Sequence, residues 1–470
     1  MKRFLGLSLL VALTLIGMGC GSNSSSTGGS NPQSASVFMT GEDAPLSSVV
    51  GFNLTLNTVT LNGQDGSTAT VISTPTTVDF ARLLGLRAPL AFNTVKPATY
   101  VSATFVLANP VVDYVTLNPS PAVTPLTGVF PSSQNPYTIT VSFPKQMVVG
   151  ANGLAGLRMD MDIRDSVATD GNGNLVINNN TIAVNPVIFV KATKASDPDG
   201  QVTDLMGGLV AAANTTNDSF VIQGPYGRQL TVYVNNSTQF NSGWNIDNLV
   251  PPAIVGVQGR FQADGSLMAD AVEVITTAHS FVSGRILQVA DNAGDVTVTM
   301  WVGETGADMV SDVDTIQTID ISSVTNYEVC FFDNALTQFV FSGSSDLLVG
   351  QRIFIGGDYT NSTFTPTMIS LRRQGVYGTF NTGSVTVTNG NAGTFLLSNN
   401  GLVGYSAGGP VPVDTFNGTV FFDLTGLNQL QTTTTDIPLV VRGLFLKDPT
   451  SGNPTFYAGL VADPPQPASK

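Results

Sequence analysis

Histidine and cysteine, on which most metal sites and many nucleophilic sites depend, are almost missing from this sequence. Its 470 residues include one histidine, His279, and two cysteines, Cys20 and Cys330. A single histidine forms neither a multi-histidine metal site nor a proton relay, and two cysteines cannot build a four-thiolate zinc site. We therefore predict no catalytic residue, no metal and no cofactor, and we expect Cys330 to be a buried strand residue.

Charged residues and long apolar runs are scarce as well. Charged side chains make up 11% of the chain, against about 25% in typical soluble proteins. Beyond the amino terminus, no apolar run reaches the roughly twenty residues that span a bilayer. The 33 acidic residues outnumber the 19 basic ones. Because there is no basic stripe either, we expect no nucleic-acid partner.

The amino terminus has the pattern of a secretory signal. Two basic residues precede an apolar stretch over residues 4–18, which has the length of a signal-peptide apolar region. Small Gly19 then precedes Cys20, and this junction resembles the lipobox of bacterial lipoproteins, although Gly17 stands where that family usually has leucine. The resemblance implies cleavage between Gly19 and Cys20 and acylation of the Cys20 thiol. The alternative is an ordinary signal peptide that contains a cysteine.

A tether follows the cysteine. Residues 21–32 are mostly serine, glycine and asparagine, and such chains behave as flexible coils. Gly21 stands where an aspartate would resemble an inner-membrane retention signal, so the outer membrane is favoured. We expect a lipid-anchored protein of the bacterial outer membrane, on its surface or its periplasmic face.

The remainder of the chain alternates apolar and polar residues, which predicts an all-β protein. In "GFNLTLNTVTLNG", Phe52, Leu54 and Leu56 share one face of a strand. Asn-Gly and Asp-Gly pairs stand where tight hairpin turns are needed. One short helix is predicted in "VDFARLLGL", ended by Pro89.

Residues 35–195 resemble a bacterial lipoprotein family known as domain of unknown function 4382. The resemblance rests on "VFMTGEDAPLSSVVGFNLTLNTVTLNG" and on "GLRMDMDIRDSVATDGNGNLVINNNTIAVNPVIFV". It implies a sandwich of the immunoglobulin or transthyretin type. The family has no known catalytic residue, so none is carried over.

The chain then repeats itself about every ninety residues. The ends of the units are "NLVPPAIVGVQGRFQADGSLMADAVEV", "DLLVGQRIFIGGDYTNSTFTPTMISL" and "IPLVVRGLFLKDPTSGNPTFYAGLV". Each holds a glycine within a strand, at Gly259, Gly356 and Gly443, which predicts a bulge or a barrel corner. The units resemble domain of unknown function 5666, which implies small OB-like barrels. Repeats of this kind are expected to stack into a rod or a curved array.

The predicted plan is an all-β chain with an amino-terminal sandwich and about three barrels. Its segments are the signal peptide at 1–19, the tether at 20–34, the sandwich at 35–195, barrels at 196–277, 278–373 and 374–463, and a tail at 464–470.

Three motifs resemble catalytic or metal sites, and each has a simpler interpretation. "GYSAG" around Ser406 matches the nucleophile elbow, but a Gly-Pro-Val-Pro run follows and the only histidine comes earlier, so a glycine loop is expected. Asp160 and Asp162 share one face of a predicted strand with Arg158 and Arg164, which flank them, and this indicates a solvated, charge-balanced face. "DGNGN", beginning at Asp170, lacks the later ligands of a calcium loop, and a hairpin turn explains it as well. His279 is expected to be a hydrogen-bonded linker residue.

Trp244 and Trp301 are the two tryptophans. Trp244 lies among polar residues of a predicted loop, where its ring would either stack on a sugar or cover the barrel beneath it. Trp301 alternates with strand residues and is expected in a core or an interface.

These features predict a membrane-anchored envelope lipoprotein with a non-catalytic binding or scaffolding role at the cell surface. Its expected partners are the membrane, through the lipid anchor, and a polysaccharide or an envelope protein. The first alternative is a carbohydrate-binding protein that assists polysaccharide use. The second is a carboxylate-based glycosidase, although no carboxylate pair stands out.

Overall fold

The structure of this chain is a computed structural model that describes residues 34–463, apart from 45, 47, 171–173, 225–227, 333–338 and 340. Strands dominate the described residues, and the only α-helices among them are three short ones. They are α1 (Ile163–Ser166), α2 (Leu402–Ala407) and α3 (Leu427–Thr432). Within this described part, no helix combines the length and apolar character needed to cross a membrane.

A two-sheet sandwich occupies the amino-terminal part. Its strands are β1 (Ala35–Ala44), β2 (Val49–Gly63), β3 (Thr68–Ile72), β4 (Thr76–Asp79), β5 (Ala88–Val95), β6 (Ala98–Thr116), β7 (Ala122–Val129), β8 (Tyr137–Val149), β9 (Leu154–Asp162), β10 (Ile177–Asn178), β11 (Thr181–Ala183) and β12 (Ile188–Thr193). One sheet has the order β12-β9-β1-β5, and the other has the order β10-β11-β7-β6-β2-β3, with β4 on β2 and β8 on β6. As predicted, Phe52, Leu54 and Leu56 all point into the core between the sheets.

The predicted helix before Pro89 is wrong. Residues Ala81–Leu83 form only a single 3-10 turn, because Val78 and Asp79, the first two residues of the predicted helix, belong to β4 and pair with β2. Pro89 lies inside β5, beside a register shift against β1. The short turn nevertheless buries Leu83 in the sandwich core.

Three six-stranded sheets follow. Their strands are β13 (Gln201–Leu209), β14 (Ser219–Gln223), β15 (Gln229–Tyr233), β16 (Gln239–Phe240), β17 (Ile254–Phe261), β18 (Leu267–Thr276), β19 (Ser280–Asn292), β20 (Asp295–Thr305), β21 (Thr315–Asp320), β22 (Asn326–Val329), β23 (Arg352–Thr360), β24 (Thr363–Leu371), β25 (Gln374–Phe380), β26 (Thr386–Asn389), β27 (Ala392–Ser398), β28 (Val411–Phe422), β29 (Pro438–Lys447) and β30 (Pro454–Ala462). The first two sheets share one order, β15-β14-β13-β17-β18-β16 and β21-β20-β19-β23-β24-β22. Extra pairings, β15 with β18 and β25 with β27, close the first and third into barrels. The second sheet has no such closing pair among the described strands, and we call it the second barrel because it has the strand order of the first. The predicted fold class, an all-β sandwich followed by barrels, is confirmed.

The glycines within the strands lie at bulges, as predicted. Register shifts fall between Gln258 and Gly259, at Gly356 and between Arg442 and Gly443. A Cβ atom at Gly259 or Gly443 would overlap a backbone carbonyl oxygen of the paired strand. Only glycine permits this approach, and the resulting bend lets a short sheet curl into a barrel.

Each of the three barrels contacts the sandwich, so the barrels do not extend from it as a straight rod, the first of the two predicted arrangements. In the first barrel, Phe261 stacks on Phe38 of β1, with ring centroids 5.1 Å apart. The second barrel accepts a hydrogen bond from Asn53 at Asp314. In the third, Arg442 lies 3.8 Å from Glu42 of β1. The sandwich thus meets the first barrel through aromatic rings, the second through a hydrogen bond and the third through a charge pair.

Candidate functional site

A cleft of about 700 Å³ lies between the first and second barrels. One side comes from the loop after β16 and from β18, and the other from β22 and the residues that follow it. We call it the aromatic cleft, because its lining includes Trp244, Tyr327, Phe331, Phe339 and Phe341. Its volume falls within the range of about 300–1,000 Å³ that is usual for small-molecule sites.

Packing beneath the cleft holds its rings in place. Trp244 is half-buried and rests on the core of the first barrel. Tyr327 meets Phe341 edge-on, with centroids 5.6 Å apart, and Phe339 lies 4.1 Å from the ring of Tyr457 in the third barrel. Trp244 therefore covers its barrel and also lines the cleft. Its stacking on a ligand stays a prediction.

The polar side chains that line the cleft include one that is buried in an ion pair and others that are exposed to solvent. Glu273 accepts a hydrogen bond from the backbone N–H of Phe331 at 3.1 Å and forms an ion pair with Arg372 at 2.8 Å. By contrast, Asn326 and Glu328 are exposed, and Nδ2 of Asn326 donates to Oε1 of Glu328 at 3.0 Å. Exposed amide and carboxylate groups can exchange such a bond for one to a ligand hydroxyl.

A second cavity, of about 650 Å³, lies between the sandwich and the first two barrels and is partly open to solvent. We call it the central cavity. Its lining includes leucine, isoleucine, methionine and phenylalanine side chains, namely Leu83, Leu86, Leu90, Phe92, Leu205, Met206, Ile222, Leu230 and Phe261. Asp79, Glu304 and Asp314 contribute carboxylates to the same lining, and Arg82, Arg228 and Arg352 contribute guanidinium groups.

In Asp79 and in Asp314, one carboxylate oxygen accepts hydrogen bonds from the protein. Oδ1 of Asp79 accepts the backbone N–H groups of Phe52 at 2.8 Å and Ala81 at 3.1 Å. Oδ2 of Asp314 accepts from Asn53 at 3.1 Å. The remaining oxygens, Oδ2 of Asp79 and Oδ1 of Asp314, are buried without a hydrogen-bond partner among the described residues.

Burial raises the pKa values of these carboxylates, and neighbouring carboxylates add to the rise at Asp79 and Asp113. Burial raises the pKa of Asp79 to about 6, with Arg82 opposing the rise and Asp314 adding to it. Burial, followed by repulsion from Asp79 and Asp314, raises the pKa of Asp113 to about 7. These three residues come from β4, β6 and the turn before β21, so no local sequence pattern marks them as neighbours. Among the residues described, no group of three or more His, Cys, Asp or Glu is arranged to hold a metal.

The predicted solvated face around Asp160 and Asp162 is wrong, because both side chains are buried. Arg158 pairs with Glu42 of β1, and Asp162 caps α1 by accepting the backbone N–H of Asp165 at 3.0 Å. Burial raises the pKa of Asp162 to about 6, against the effect of Arg164. Arg158, Asp160 and Asp162 alternate along β9 as predicted, whereas Arg164 lies in α1. The third barrel packs over this face, since Arg164 donates to the hydroxyl of Tyr377 and Arg442 pairs with Glu42.

Ser406 lies in a short helix, and His279 lies in the linker between two strands. Ser406 lies in α2, which ends at Gly408 in the left-handed conformation at φ 68°, so the expected glycine loop is wrong. His279 lies between β18 and β19, with Nδ1 3.3 Å from Oδ1 of Asp358. It is a hydrogen-bonded linker residue, as predicted.

The other predicted residues agree with the simpler interpretations where they are described. Asp170 accepts the backbone N–H of Asn174 at 2.9 Å, and residues 171–173 of the motif lie outside the described residues. Cys330 is buried directly after β22. Trp301 packs at an interface formed by the side chains of Val50, Leu287 and Leu402. Gly19 and Cys20 lie outside the described residues.

Comparison with protein families gives two matches. Residues 35–178 match domain of unknown function 4382, and residues 207–273 match domain of unknown function 5666. The first match covers most of the sandwich and the second runs from β13 to β18 of the first barrel. No curated protein matches the chain. This chain therefore carries a domain similar to family 4382 followed by a barrel similar to family 5666, in the order that the sequence predicted.

Proposed function

We propose that this chain is a membrane-anchored envelope lipoprotein with a non-catalytic binding role, and that its aromatic cleft binds carbohydrate. The observation that carries the proposal is the position of Trp244, which shares a cleft with the rings of Tyr327 and Phe331 from the neighbouring barrel.

The chemistry of the cleft suits a sugar. One face of a pyranose ring is lined with C–H groups and stacks on a flat aromatic side chain, while its hydroxyls need hydrogen-bond partners at the edge. Trp244 supplies such a surface, and the exposed side chains of Asn326 and Glu328 supply the partners. Packing already holds the rings, so little conformational entropy is lost on binding.

Acylation of Cys20 would hold this binding site at the membrane. The apolar stretch over residues 4–18 and the serine- and glycine-rich tether after it support an anchored protein of the outer membrane. The formal net charge of −14 argues against a nucleic-acid partner.

Affinity electrophoresis and glycan arrays test the proposal. The full chain, purified in detergent, is screened against plant and bacterial polysaccharides, with the same detergent alone as the reference. We expect retardation by at least one class of polysaccharide, with the glycan recovered intact. The absence of binding across these classes would remove the proposal, and protease shaving of intact cells would show which side of the outer membrane carries the protein.

A carboxylate-based glycosidase is the second candidate, because Asp79 and Asp314 line one cavity and glycosidases use paired carboxylates. We rank it lower for two reasons. Oδ1 of Asp79 is engaged by two backbone N–H groups, and Oδ2 of Asp79 and Oδ1 of Asp314 are buried, out of reach of a substrate in the cavity. Release of reducing sugar from a bound polysaccharide would favour the enzyme over the binding protein.

A further inference from the structure

The aromatic cleft carries charged side chains of one sign only, and this bears on which carbohydrates it would accept. Glu273 and Glu328 line the cleft, whereas no lysine, arginine or histidine does so among the described residues. Residues 333–338 and 340, which lie outside the described part, contain no basic residue in their sequence either. The lining therefore offers acidic and neutral groups to a ligand, and no cation.

The two carboxylates differ in whether a ligand would meet their charge. Glu273 is buried, and its ion pair with Arg372 at 2.8 Å balances its charge within the interior. Arg372 is itself fully buried, so its guanidinium is out of reach of a ligand in the cleft. Glu328 is exposed, and the hydrogen bond that it accepts comes from the neutral amide of Asn326. Glu328 thus leaves one net negative charge in the lining.

The other exposed polar side chains of the lining are uncharged. Ser242 and Thr277 present hydroxyls, and Asn326 presents an amide. Hydroxyls and amides both donate and accept hydrogen bonds, so they match the hydroxyls of a sugar. A carboxylate on the sugar is bound most strongly by a cation instead, and close to Glu328 it would meet a like charge.

The size of this repulsion decides whether it affects binding. Two like unit charges about 4 Å apart repel in bulk water by an energy that corresponds to roughly a fivefold change in affinity, and the repulsion grows where protein excludes water. The rings of Trp244, Tyr327 and Phe331 share the lining with Glu328. An acidic sugar that contacts Glu328 should therefore bind about fivefold or more weakly than a neutral one.

We propose that the aromatic cleft selects neutral polysaccharides over acidic ones, and that Glu328 determines this specificity. The ring of Trp244 accepts a sugar of either kind, and the charge of Glu328 rejects the sugar that carries a carboxylate. The inference rests on the proposed carbohydrate binding and adds to it the class of polysaccharide that is bound.

Three pairs of polysaccharides, each related in its backbone sugar, test the proposal: hydroxyethyl cellulose with carboxymethyl cellulose, galactan with polygalacturonate, and galactomannan with alginate. Each is titrated by calorimetry at pH 7 into the full chain in detergent, with detergent alone as the reference. We expect at least one neutral member to bind about fivefold or more tightly than its acidic partner. An acidic member that binds as tightly as its neutral partner overturns the inference but leaves carbohydrate binding in place. If none of the six binds, the proposed function fails as well.

Substitutions at Glu328 separate its charge from the net charge of the protein, which also repels acidic polymers. Glu328→Gln keeps an acceptor and removes the charge, so the ratio of neutral to acidic affinity should fall about fivefold, and Glu328→Lys should lower it further. The matched control is Asp295→Asn, because Asp295 is exposed and does not line the cleft, and its loss changes the net charge by the same amount as Glu328→Gln. Its ratio should equal that of the wild type. Circular dichroism checks folding, and an unchanged ratio in both folded Glu328 variants, or an equal fall in Asp295→Asn, overturns the role of Glu328.

Discussion

Oε2 of Glu273 and Nη1 of Arg372 lie 2.8 Å apart in the interior of the molecule, with their side chains 4% and 0% exposed. Glu273 belongs to β18 of the first barrel and Arg372 follows β24 of the second. The other oxygen of Glu273 accepts the backbone N–H of Phe331, and the Arg372 guanidinium lies 5.8 Å from the centre of the Phe332 ring. The junction between these barrels is therefore held by a buried charge pair as well as by apolar packing.

Breaking this pair should destabilise the protein strongly. In Arg372→Met, the carboxylate of Glu273 would remain buried without its cation, so the free energy of unfolding should fall by about 3–5 kcal/mol. The control is Lys191→Met, because Lys191 pairs with Asp199 from a side chain that is 53% exposed, and such pairs contribute about 1 kcal/mol or less. Guanidinium denaturation measures both. Losses of equal size would contradict the prediction.

Protonation of Asp113 should make stability depend on pH. Its pKa is raised to about 7 by burial and by Asp79 and Asp314, so the folded protein retains a proton that the unfolded chain releases above about pH 4. The stability from this proton is complete below pH 4 and is lost as the pH rises through about 7.

Asp113→Asn should flatten that dependence and stabilise the protein at pH 8 by about 1–2 kcal/mol, after allowing for residual solvation of the site. Urea denaturation at pH 5 and pH 8 measures the effect. Asp320→Asn is the control, since Asp320 is exposed and hydrogen bonds to Ser322 lower its pKa, outside this pH window. A wild-type stability that rises between pH 5 and pH 8, with no change in Asp113→Asn, would rule out this account.

Gly443 should tolerate no side chain. A Cβ atom there would overlap the backbone carbonyl oxygen of Tyr457 in the paired strand, so Gly443→Ala should cost about 3 kcal/mol. Gly150→Ala is the matched control, because nothing lies within 4 Å of the added atom, and its effect should stay within about 0.5 kcal/mol. Thermal and chemical denaturation measure the difference, and a mild effect at Gly443 would show that the bulge can relax.

Removing the ring of Trp244 should weaken carbohydrate binding at the aromatic cleft. We expect Trp244→Ala to weaken binding at least tenfold and Trp244→Phe to retain part of it, because phenylalanine keeps a flat ring. Tyr405→Ala controls for the loss of an aromatic side chain, since Tyr405 is 53% exposed on α2 and does not line the cleft. Affinity electrophoresis with circular dichroism separates lost binding from lost folding. Full binding by folded Trp244→Ala would place the site elsewhere.

Substitution of Cys20 should release the protein from the membrane. In Cys20→Ser the thiol that accepts the lipid is gone, so we expect loss of the acyl mass in mass spectrometry and of membrane association in cell fractionation. Cys330→Ser is the matched control, because Cys330 is buried in the second barrel. A wild-type Cys20 without added mass would refute the anchor.

Local patterns in the sequence were sufficient to predict the strands and the all-β fold class. Alternation of apolar and polar residues placed Phe52 and Leu54 on the core face of a strand, because successive side chains of a strand point to opposite faces. Gly259 and Gly443 marked bulges, because a glycine within a strand permits the close backbone approach that a bulge needs. The order of sandwich and barrels followed from the same patterns together with the family resemblances. The helix before Pro89 was mispredicted because strand pairing outside the local window used the residues that it needed.

The tertiary structure alone decided which faces meet. Alternation shows that Asp160 and Asp162 share a face, but not that another domain covers it. Likewise, Asp79 and Asp314 become neighbours only when the second barrel docks on the sandwich. Periodicity along a strand reports which side chains point the same way. The burial of a charge, its partner and its pKa depend on distant segments that exclude water from it, and no local pattern in this chain encodes that contact.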